Sequence, residues 1–201
     1  WGGHCPSNDL VNEYESNDPR LVHTVLASGD IFVKSDGSDE VHDYSGYDNY
    51  SKLHSRKMYI DYSRRPLNNL MDTDWSFYHI RYADVLLMHS ELNGNADGLN
   101  QVHQRVYPGE TLAYSIENIR KERAIELAFE GHRFFDVRRW MIAEETENKQ
   151  MHGFEITKSI TEKGKKVPVR KHTFRKAMYF LPIPYKETVK SDDLVQNPYY
   201  E

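Results

Sequence analysis

The chain has 201 residues, enough for one large domain with its own core or for two small ones. Hydrophobic residues make up only 38% of it and aromatic residues 12%. The chain is therefore short of core-forming residues but rich in aromatic side chains. The net charge of −5, with acidic and basic residues interleaved, argues against a nucleic-acid-binding protein, which would carry a basic stripe.

The chain starts at Trp1 without a Met and without the charged and apolar regions of a signal peptide. Together with the low apolar content, this start predicts a piece of a longer protein whose other residues complete the core. The single cysteine, Cys5, excludes an internal disulfide framework and a zinc site built from several cysteines. No stretch approaches the roughly 18 apolar residues of a membrane helix.

Residues 1–75 are predicted to be a loop-rich segment that faces a ligand or a partner. Turn-forming clusters at 17–20 and 35–40 flank the apolar stretch Leu21–Val33, which suits a strand or a short helix. Residues 44–50 are polar and aromatic without a regular period, so we expect an exposed loop there. Residues 52–62 alternate weakly, as in a strand.

Residues 76–201 are predicted to form a helical core with a hairpin and a closing tail, in one domain overall. The first helix should end at Asn93-Gly94, a typical C-cap, and the second at Pro108-Gly109. The buried positions expected in the first helix are Ile80, Tyr82, Ala83, Leu86, Leu87 and Ser90, and those in the second are Leu99, Val102, His103 and Val106.

A long third helix is predicted from an N-cap at Thr111 to about Met141, with Gly131 as a candidate break. Its expected buried face carries Leu112, Ile116, Ile119, Leu127, Phe134 and Phe135. Beyond it, Phe154–Ile160 and Lys165–Lys171 are predicted to form a hairpin around a glycine-containing loop.

The third helix also carries three carboxylates, Glu122, Glu126 and Glu130, spaced four residues apart on one face. One interpretation makes two of them the acid and base of a glycosidase. The other is an ion-pair network with nearby arginines. Catalytic carboxylates must flank a bond from opposite sides of a cleft, which one helix face does not allow, so the pattern favours the network.

Other catalytic and metal sites find little support in the sequence. Glu130 and His132 are two apart, so they diverge on a helix and do not match a di-metal motif. The sequence lacks a nucleophile elbow and a phosphate-binding loop. We therefore predict no catalytic residue, no metal and no cofactor, with calcium at the acidic run as a minor alternative. That run comprises Asp36, Asp39, Glu40 and Asp43.

Aromatic residues are concentrated in the polar N-terminal loops. Tyr and Trp combine an apolar face, on which a sugar ring can stack, with a polar group. We therefore predict a carbohydrate-binding face, with ligand contacts from Tyr44, Tyr47, Tyr50 and Trp75.

Four segments of the chain resemble the C-terminal part of the SusD/RagB family. Residues 6–21 include Asp18-Pro19-Arg20, and residues 80–87 resemble the family's Arg-Tyr-Ala-Glu-Val-Leu-Leu helix. Residues 122–140 resemble its Glu-Arg…Glu-Gly-His-Arg-Phe-Phe-Asp-Leu-Arg-Arg-Trp signature, and residues 181–200 its closing segment. The signature residues that the resemblance implies to be structural are Arg81, Glu122, Arg123, Glu126, Glu130, Arg133, Asp136 and Trp140.

The resemblance implies a mostly α-helical fold with small β-hairpin elements and, in the full-length family, tetratricopeptide-type repeats. It implies a lipid-anchored outer-membrane protein that binds oligosaccharide or polysaccharide and delivers it, uncleaved, to a SusC-like TonB-dependent porin. Nucleic acid is not an expected partner. Two alternatives stay open: a partner-binding or peptide-uptake fragment whose ligand site lies in another part of the protein, and a glycosidase using Glu126 or Glu130.

Overall fold

A computed structural model describes residues 5–27, 29–34, 36–42, 53–57, 59, 76–154 and 166–200. The helices are α1 (Asn8–Glu13), α2 (Arg20–Thr24), α3 (Tyr82–Asn93), α4 (Asp97–Gln104), α5 (Ile116–Glu126), α6 (Arg133–Arg139), α7 (Ala143–Glu147) and α8 (Tyr185–Thr188), with a 3-10 helix at Lys176–Tyr179. The strands are β1 (Val25–Ala27), β2 (Ile31–Val33), β3 (Asp39–Val41), β4 (Leu53–Ser55), β5 (Gln150–Phe154) and β6 (Lys166–Lys171). The fold is therefore mostly helical with small sheets, as predicted.

The strands form three two-stranded sheets among the described residues. β1 pairs with β4 in antiparallel register, with Leu26 opposite His54, and β2 pairs with β3 in the same sense. β5 pairs with β6. β5 begins at Gln150, four residues before the predicted strand, and the predicted loop at 162–164 lies outside the described residues.

The chain divides into two compact units. The first comprises residues 1–133 and 151–169, and the second comprises residues 134–150 and 170–201. These two units are defined by how the chain packs. The boundary after residue 75 separates a predicted ligand-facing or partner-facing segment from the predicted helical core, and it stays a prediction. Within the described residues, no helix combines the length and the apolar character needed to cross a membrane.

The N-terminal elements of the first unit pack against α5. α1 begins at Ser7, whose side chain accepts a hydrogen bond from the Leu10 amide. The Tyr14 hydroxyl donates to the Ile125 carbonyl at 3.0 Å, which ties the end of α1 to α5. The core between these elements consists of Val11, Tyr14, Leu21, Val25, Ala27, Leu53 and Ile125. The segment predicted to be loop-rich thus contributes most of a hydrophobic cluster.

A second cluster of the first unit joins α3, α4 and α5 through Leu87, Leu99, Val102 and Ile119. α3 ends at Gly94, which adopts the left-handed conformation (φ 64°), as the sequence predicts. The first turn of α4 crosses α3 so closely that a Cβ at Gly98 would overlap the backbone carbonyl of Leu86. Only glycine permits this approach of the two backbones.

The predicted long third helix is wrong. Ser115 is the N-cap, because its side chain accepts from the Asn118 amide at 3.0 Å, and Thr111 is exposed before the helix. α5 ends at Glu126, and the chain turns through Phe129 (φ 65°) and Gly131 (φ 84°) before α6. Both φ values are incompatible with a continuous right-handed helix.

This break also corrects the predicted burial of the aromatic pair at the start of α6. Phe134 and Phe135 are 48% and 67% exposed, because the turn resets the helical phase on which their burial was predicted. The Arg138 guanidinium covers one face of the Phe134 ring at 3.5 Å from its centroid. The core of the second unit is formed by Val137, Ala143, Phe174 and Tyr179.

The closing segment of the second unit is held by side-chain amides. The Ile183 amide donates to Gln196 Oε1 at 2.7 Å, and Gln196 Nε2 donates to the Ile183 carbonyl at 2.8 Å. Asn197 Nδ2 donates to the Leu181 carbonyl at 2.6 Å. These bonds satisfy backbone groups that the two prolines, Pro182 and Pro184, keep out of regular structure.

Replacement of Gly98 by Ala tests the contact between α3 and α4. We expect Gly98→Ala to lower the free energy of unfolding by about 1–3 kcal/mol, because α4 must move away from the Leu86 carbonyl. The control is Gln101→Ala at an exposed position of the same helix, which should change it by no more than about 0.5 kcal/mol. Equal stabilities in chemical denaturation would contradict the proposed close approach.

Candidate functional site

Charged side chains from several segments of the first unit meet at the end of α5. We call this group the charged cluster. Its members are Asp18, Arg20, Lys57, Arg81, Arg105, Glu122, Glu126 and Glu130. They come from the start of α2, the residues after β4, the N-cap of α3, the residue after α4, α5 itself and the turn that follows it.

Glu126 is the central acceptor of the charged cluster and is only 4% exposed. Its Oε1 accepts from Nη1 and Nη2 of Arg81, both at 3.1 Å. Its Oε2 accepts from Arg105 Nη2 at 2.6 Å and from Arg20 Nη1 at 3.2 Å. A buried carboxylate is stable only with such compensation, and three guanidinium groups supply it here.

Glu130 occupies the turn after α5 and accepts from two cations. Arg81 donates through Nε at 2.7 Å and through Nη2 at 2.9 Å, and Lys57 Nζ donates at 2.7 Å. Burial raises the pKa of Glu130, but these hydrogen bonds outweigh it, and the pKa is lowered overall. The positive φ of Gly131 lets the chain turn here and keeps Glu130 beside Glu126 although the helix has ended.

Arg20 links the N-terminal segment to α5. Its Nε and Nη2 donate to Asp18 at 3.0 and 2.7 Å, and its Nη1 donates to Glu122 at 2.5 Å. Burial raises the pKa of Asp18, yet the hydrogen bonds from Arg20 lower it overall. The Asp-Pro-Arg segment therefore supplies both a carboxylate and the arginine that bridges it to the helix.

The other signature residues lie outside the charged cluster. Arg123 Nη1 donates to Asp84 Oδ1 at 2.7 Å in a separate pair that joins α5 to α3, with both side chains buried. Arg133 is exposed. In the second unit, Arg139 Nε donates to Asp136 at 2.9 Å, and its guanidinium lies 4.4 Å from the centroid of the Trp140 ring.

The charged cluster is poorly suited to acid–base catalysis. A glycosidase acid needs a raised pKa so that it holds a proton at neutral pH, whereas the pKa of Glu130 is lowered. Both oxygens of Glu126 already accept from guanidinium groups. The contacts instead fix the relative positions of α2, α3, α4 and α5.

A cavity of about 500 Å³ opens beside the charged cluster. Its walls are formed by Arg20, His23, Thr24, Arg56, Lys57, Phe77, Tyr78, Arg81, Arg105, Ile125, Glu126 and Glu130. Phe77 and Tyr78 are 46% and 51% exposed, and the Arg105 side chain is 59% exposed. The cavity therefore combines apolar rings with an accessible cation, and its volume falls in the range of ligand sites.

The predicted ligand residues Tyr44, Tyr47, Tyr50 and Trp75 lie outside the described residues and stay a prediction. Of the acidic run, Asp36 accepts hydrogen bonds from the amide and hydroxyl of Ser38, and Asp43 is outside the described residues. In the described part of the chain, no three His, Cys, Asp or Glu side chains form a group that could hold a metal ion. Calcium binding at this run stays untested.

Several residues of the site carry no individual sequence signal. Lys57 and Arg105 resemble ordinary surface cations in the sequence, and Phe77 and Tyr78 belong to no motif. Arg20 did carry a signal, because the Asp-Pro-Arg segment matches a family motif. The convergence of these residues depends on tertiary contacts, such as the 102-residue separation between Arg20 and Glu122.

Comparisons with known proteins agree with this fold. The model of the SusD family matches residues 1–200. SusD-like protein P2 of Formosa agariphila is 25% identical over 222 residues, covering 98% of this chain and 40% of that protein. A crystal structure of a SusD-like protein from Bacteroides fragilis superposes with a TM-score of 0.81 at 26% identity, covering 100% of this chain and 48% of that one. A laminarin-binding SusD-like protein gives a TM-score of 0.64 at 25% identity, covering 96% and 37% of the two chains. The chain thus spans less than half the length of these proteins.

Replacement of Glu126 by Gln tests the structural role of the charged cluster. We expect Glu126→Gln to lower the free energy of unfolding by about 3 kcal/mol, because Arg20 and Arg81, which are partly buried, lose their shared counter-charge. The control is Glu117→Gln, an exposed position of α5 that should change it by no more than about 0.5 kcal/mol. A Glu126→Gln protein of unchanged stability would contradict this role.

The lowered pKa of Glu130 predicts a loss of stability in acid. A carboxyl group whose pKa is lower in the folded than in the unfolded chain stabilises the fold fully above its ordinary value of 4.5. That stabilisation is lost as the pH falls through the lowered folded value. Thermal unfolding from about pH 6 to about pH 3 should therefore show a smaller decrease of Tm for Glu130→Gln than for the natural chain. Parallel Tm curves would contradict it.

Proposed function

The chain belongs to the SusD family, and from this premise we propose that it binds an oligosaccharide or polysaccharide at the cell surface. In the whole protein, which a lipid anchors in the outer membrane, the bound glycan passes to a SusC-like TonB-dependent porin. The observation that carries the proposal is the family match over residues 1–200. The printed name of one structural relative, a laminarin-binding SusD-like protein at 25% identity, supports a glycan as the ligand.

Binding in this proposal involves no bond cleavage. The best candidates for a glycosidase acid and base were Glu126 and Glu130, and both are engaged by cations. The lowered pKa of Glu130 leaves it ionised, so it lacks the proton that a leaving group needs. These contacts support a protein that holds and delivers a glycan.

The proposed ligand face includes the four aromatic residues of the N-terminal loops, Tyr44, Tyr47, Tyr50 and Trp75. Their rings would stack on the apolar faces of sugars, while neighbouring Asp, Asn and Ser side chains would bind hydroxyl groups. The half-exposed rings of Phe77 and Tyr78 in the cavity offer the same chemistry within the described residues.

The proposal is tested by affinity electrophoresis of the full chain through gels that contain single polysaccharides, with a reducing-end assay on the same mixtures. We expect one or more polysaccharides to retard the chain without new reducing ends. New reducing ends would contradict the non-catalytic proposal. If a chain with a cooperative melt is retarded by no polysaccharide, glycan binding by this part of the protein is wrong, and a partner-binding or peptide-uptake role is favoured.

Two variants test the aromatic face. We expect Tyr47→Ala and Trp75→Ala each to weaken binding of the retarding polysaccharide by about three- to tenfold, because each removes one stacking surface. Tyr185→Ala is the matched control, since Tyr185 is 80% exposed in the second unit. Affinities equal to that of the natural chain in both variants would exclude this face and would leave the cavity as the site.

A further inference from the structure

We propose that the cavity beside the charged cluster selects acidic glycans, and that Arg105 binds their carboxylate or sulfate groups. This inference rests on the proposed glycan-binding function and specifies its ligand class. Three features of the cavity support it. The described walls carry several cationic side chains, the hydrogen-bonding groups left for a ligand are mainly donors, and two aromatic rings are exposed.

The described walls of the cavity hold more cationic side chains than carboxylates, whereas the chain as a whole is acidic. Its walls carry five cationic side chains, from Arg20, Arg56, Lys57, Arg81 and Arg105, and two carboxylates, Glu126 and Glu130. Arg20 is also paired with Asp18 and Glu122, which lie outside these walls. The whole chain has a net charge of −5. A concentration of cationic side chains on an acidic protein attracts an anion locally, whereas the rest of the acidic surface does not.

The hydrogen-bonding capacity left in the cavity is mainly that of donors. Each oxygen of Glu126 and Glu130 already accepts from Arg or Lys. Arg105 uses Nη2 for Glu126 and keeps Nε and Nη1 for a ligand, on a side chain that is 59% exposed. A ligand that brings acceptors fits this arrangement, because hydrogen bonds from a guanidinium to carboxylate or sulfate oxygens are charge-assisted and strong.

The aromatic wall distinguishes a sugar from a simple anion. Phe77 and Tyr78 expose about half of their surfaces, next to the apolar side chain of Ile125. The Phe77 ring lies beside the turn at Gly131, and its centroid is 5.1 Å from that of the His79 ring. An exposed ring beside a cation suits a sugar whose apolar face stacks while its acidic group reaches the guanidinium.

A second cavity of the first unit provides a contrast. It has a volume of about 360 Å³ and is lined by Glu15, Asp18, Glu110 and Glu122 against only two strong cations, Arg20 and Lys121. Its carboxylates repel an acidic ligand. Lys121 forms only an exposed ion pair with Glu15, so its replacement removes one positive charge from α5 outside the first cavity.

The inference is tested by calorimetric titration of the full chain in about 0.15 M salt with four probes. Oligogalacturonate and its methyl ester differ in free carboxylates, and carrageenan oligosaccharides and their desulfated forms differ in sulfates. We expect at least one acidic probe to bind about tenfold or more tightly than its neutral form. The pair that shows this difference identifies the acidic group.

Variants of Arg105 and Lys121 test whether the preference for the acidic probe arises in the cavity. Arg105→Gln should weaken binding of that acidic probe by about tenfold and leave binding of the neutral form within about twofold. Arg105→Lys should recover part of the loss, since it restores the charge without the planar guanidinium. Lys121→Gln, the control for the loss of one charge, should bind like the natural chain. Thermal melts should show all three variants folded, because Arg105 and Lys121 are largely exposed.

The remaining outcomes separate the two proposals. Equal affinity for acidic and neutral probes, or acidic binding that Arg105→Gln leaves unchanged, would overturn the acidic-glycan inference while glycan binding stands. Equal weakening by Arg105→Gln and Lys121→Gln would indicate general electrostatic attraction and would also overturn it. If the chain binds none of these probes and is retarded by no neutral polysaccharide, both proposals are wrong.

Discussion

The buried carboxylate of Glu126 is the interaction on which the rest of the first unit depends. Arg20, Arg81 and Arg105 reach it from α2, from the N-cap of α3 and from the residue after α4. Removing a carboxylate from water costs several kcal/mol, and the cost is offset only when the partners are held in place. The packing of α1 and α2 on α5, and of α3 on α4, keeps them there.

The same contacts limit what the first unit can do chemically. Both oxygens of Glu126 already accept hydrogen bonds from guanidinium groups, and Glu130 is held in its ionised form by Arg81 and Lys57. What the charged cluster leaves accessible is the outer edge of Arg105 beside two aromatic rings. The arrangement thus agrees with the proposed binding role and gives no support to acid–base catalysis by these carboxylates.

The sequence predicts the fold class, and it predicts those helix ends that depend on the backbone preference of a single residue. The end of α3 at Gly94 follows from the residue that adopts a positive φ there, and the resemblance to the family motifs is confirmed by the family match. The predicted start and end of the third helix were wrong, and in both cases the reason lies in local backbone geometry. Thr111 and Ser115 are equally good capping residues in sequence, and a positive φ at Phe129 has no signal in its side chain. Lys57 and Arg105 reach the site only through tertiary packing, which no local pattern reports.

We propose that the charged cluster, whose carboxylates are fully paired, supports a separate binding surface. A crystal structure of the full chain with a polysaccharide fragment that retards it tests this claim directly. We expect an intact sugar against Phe77 and Tyr78, within hydrogen-bonding distance of Arg105, with the pairs from Arg81 to Glu126 and Glu130 unchanged. A sugar that displaces Arg81 or Lys57 and bonds directly to Glu126 or Glu130, or one whose glycosidic bond is cleaved there, would contradict the account.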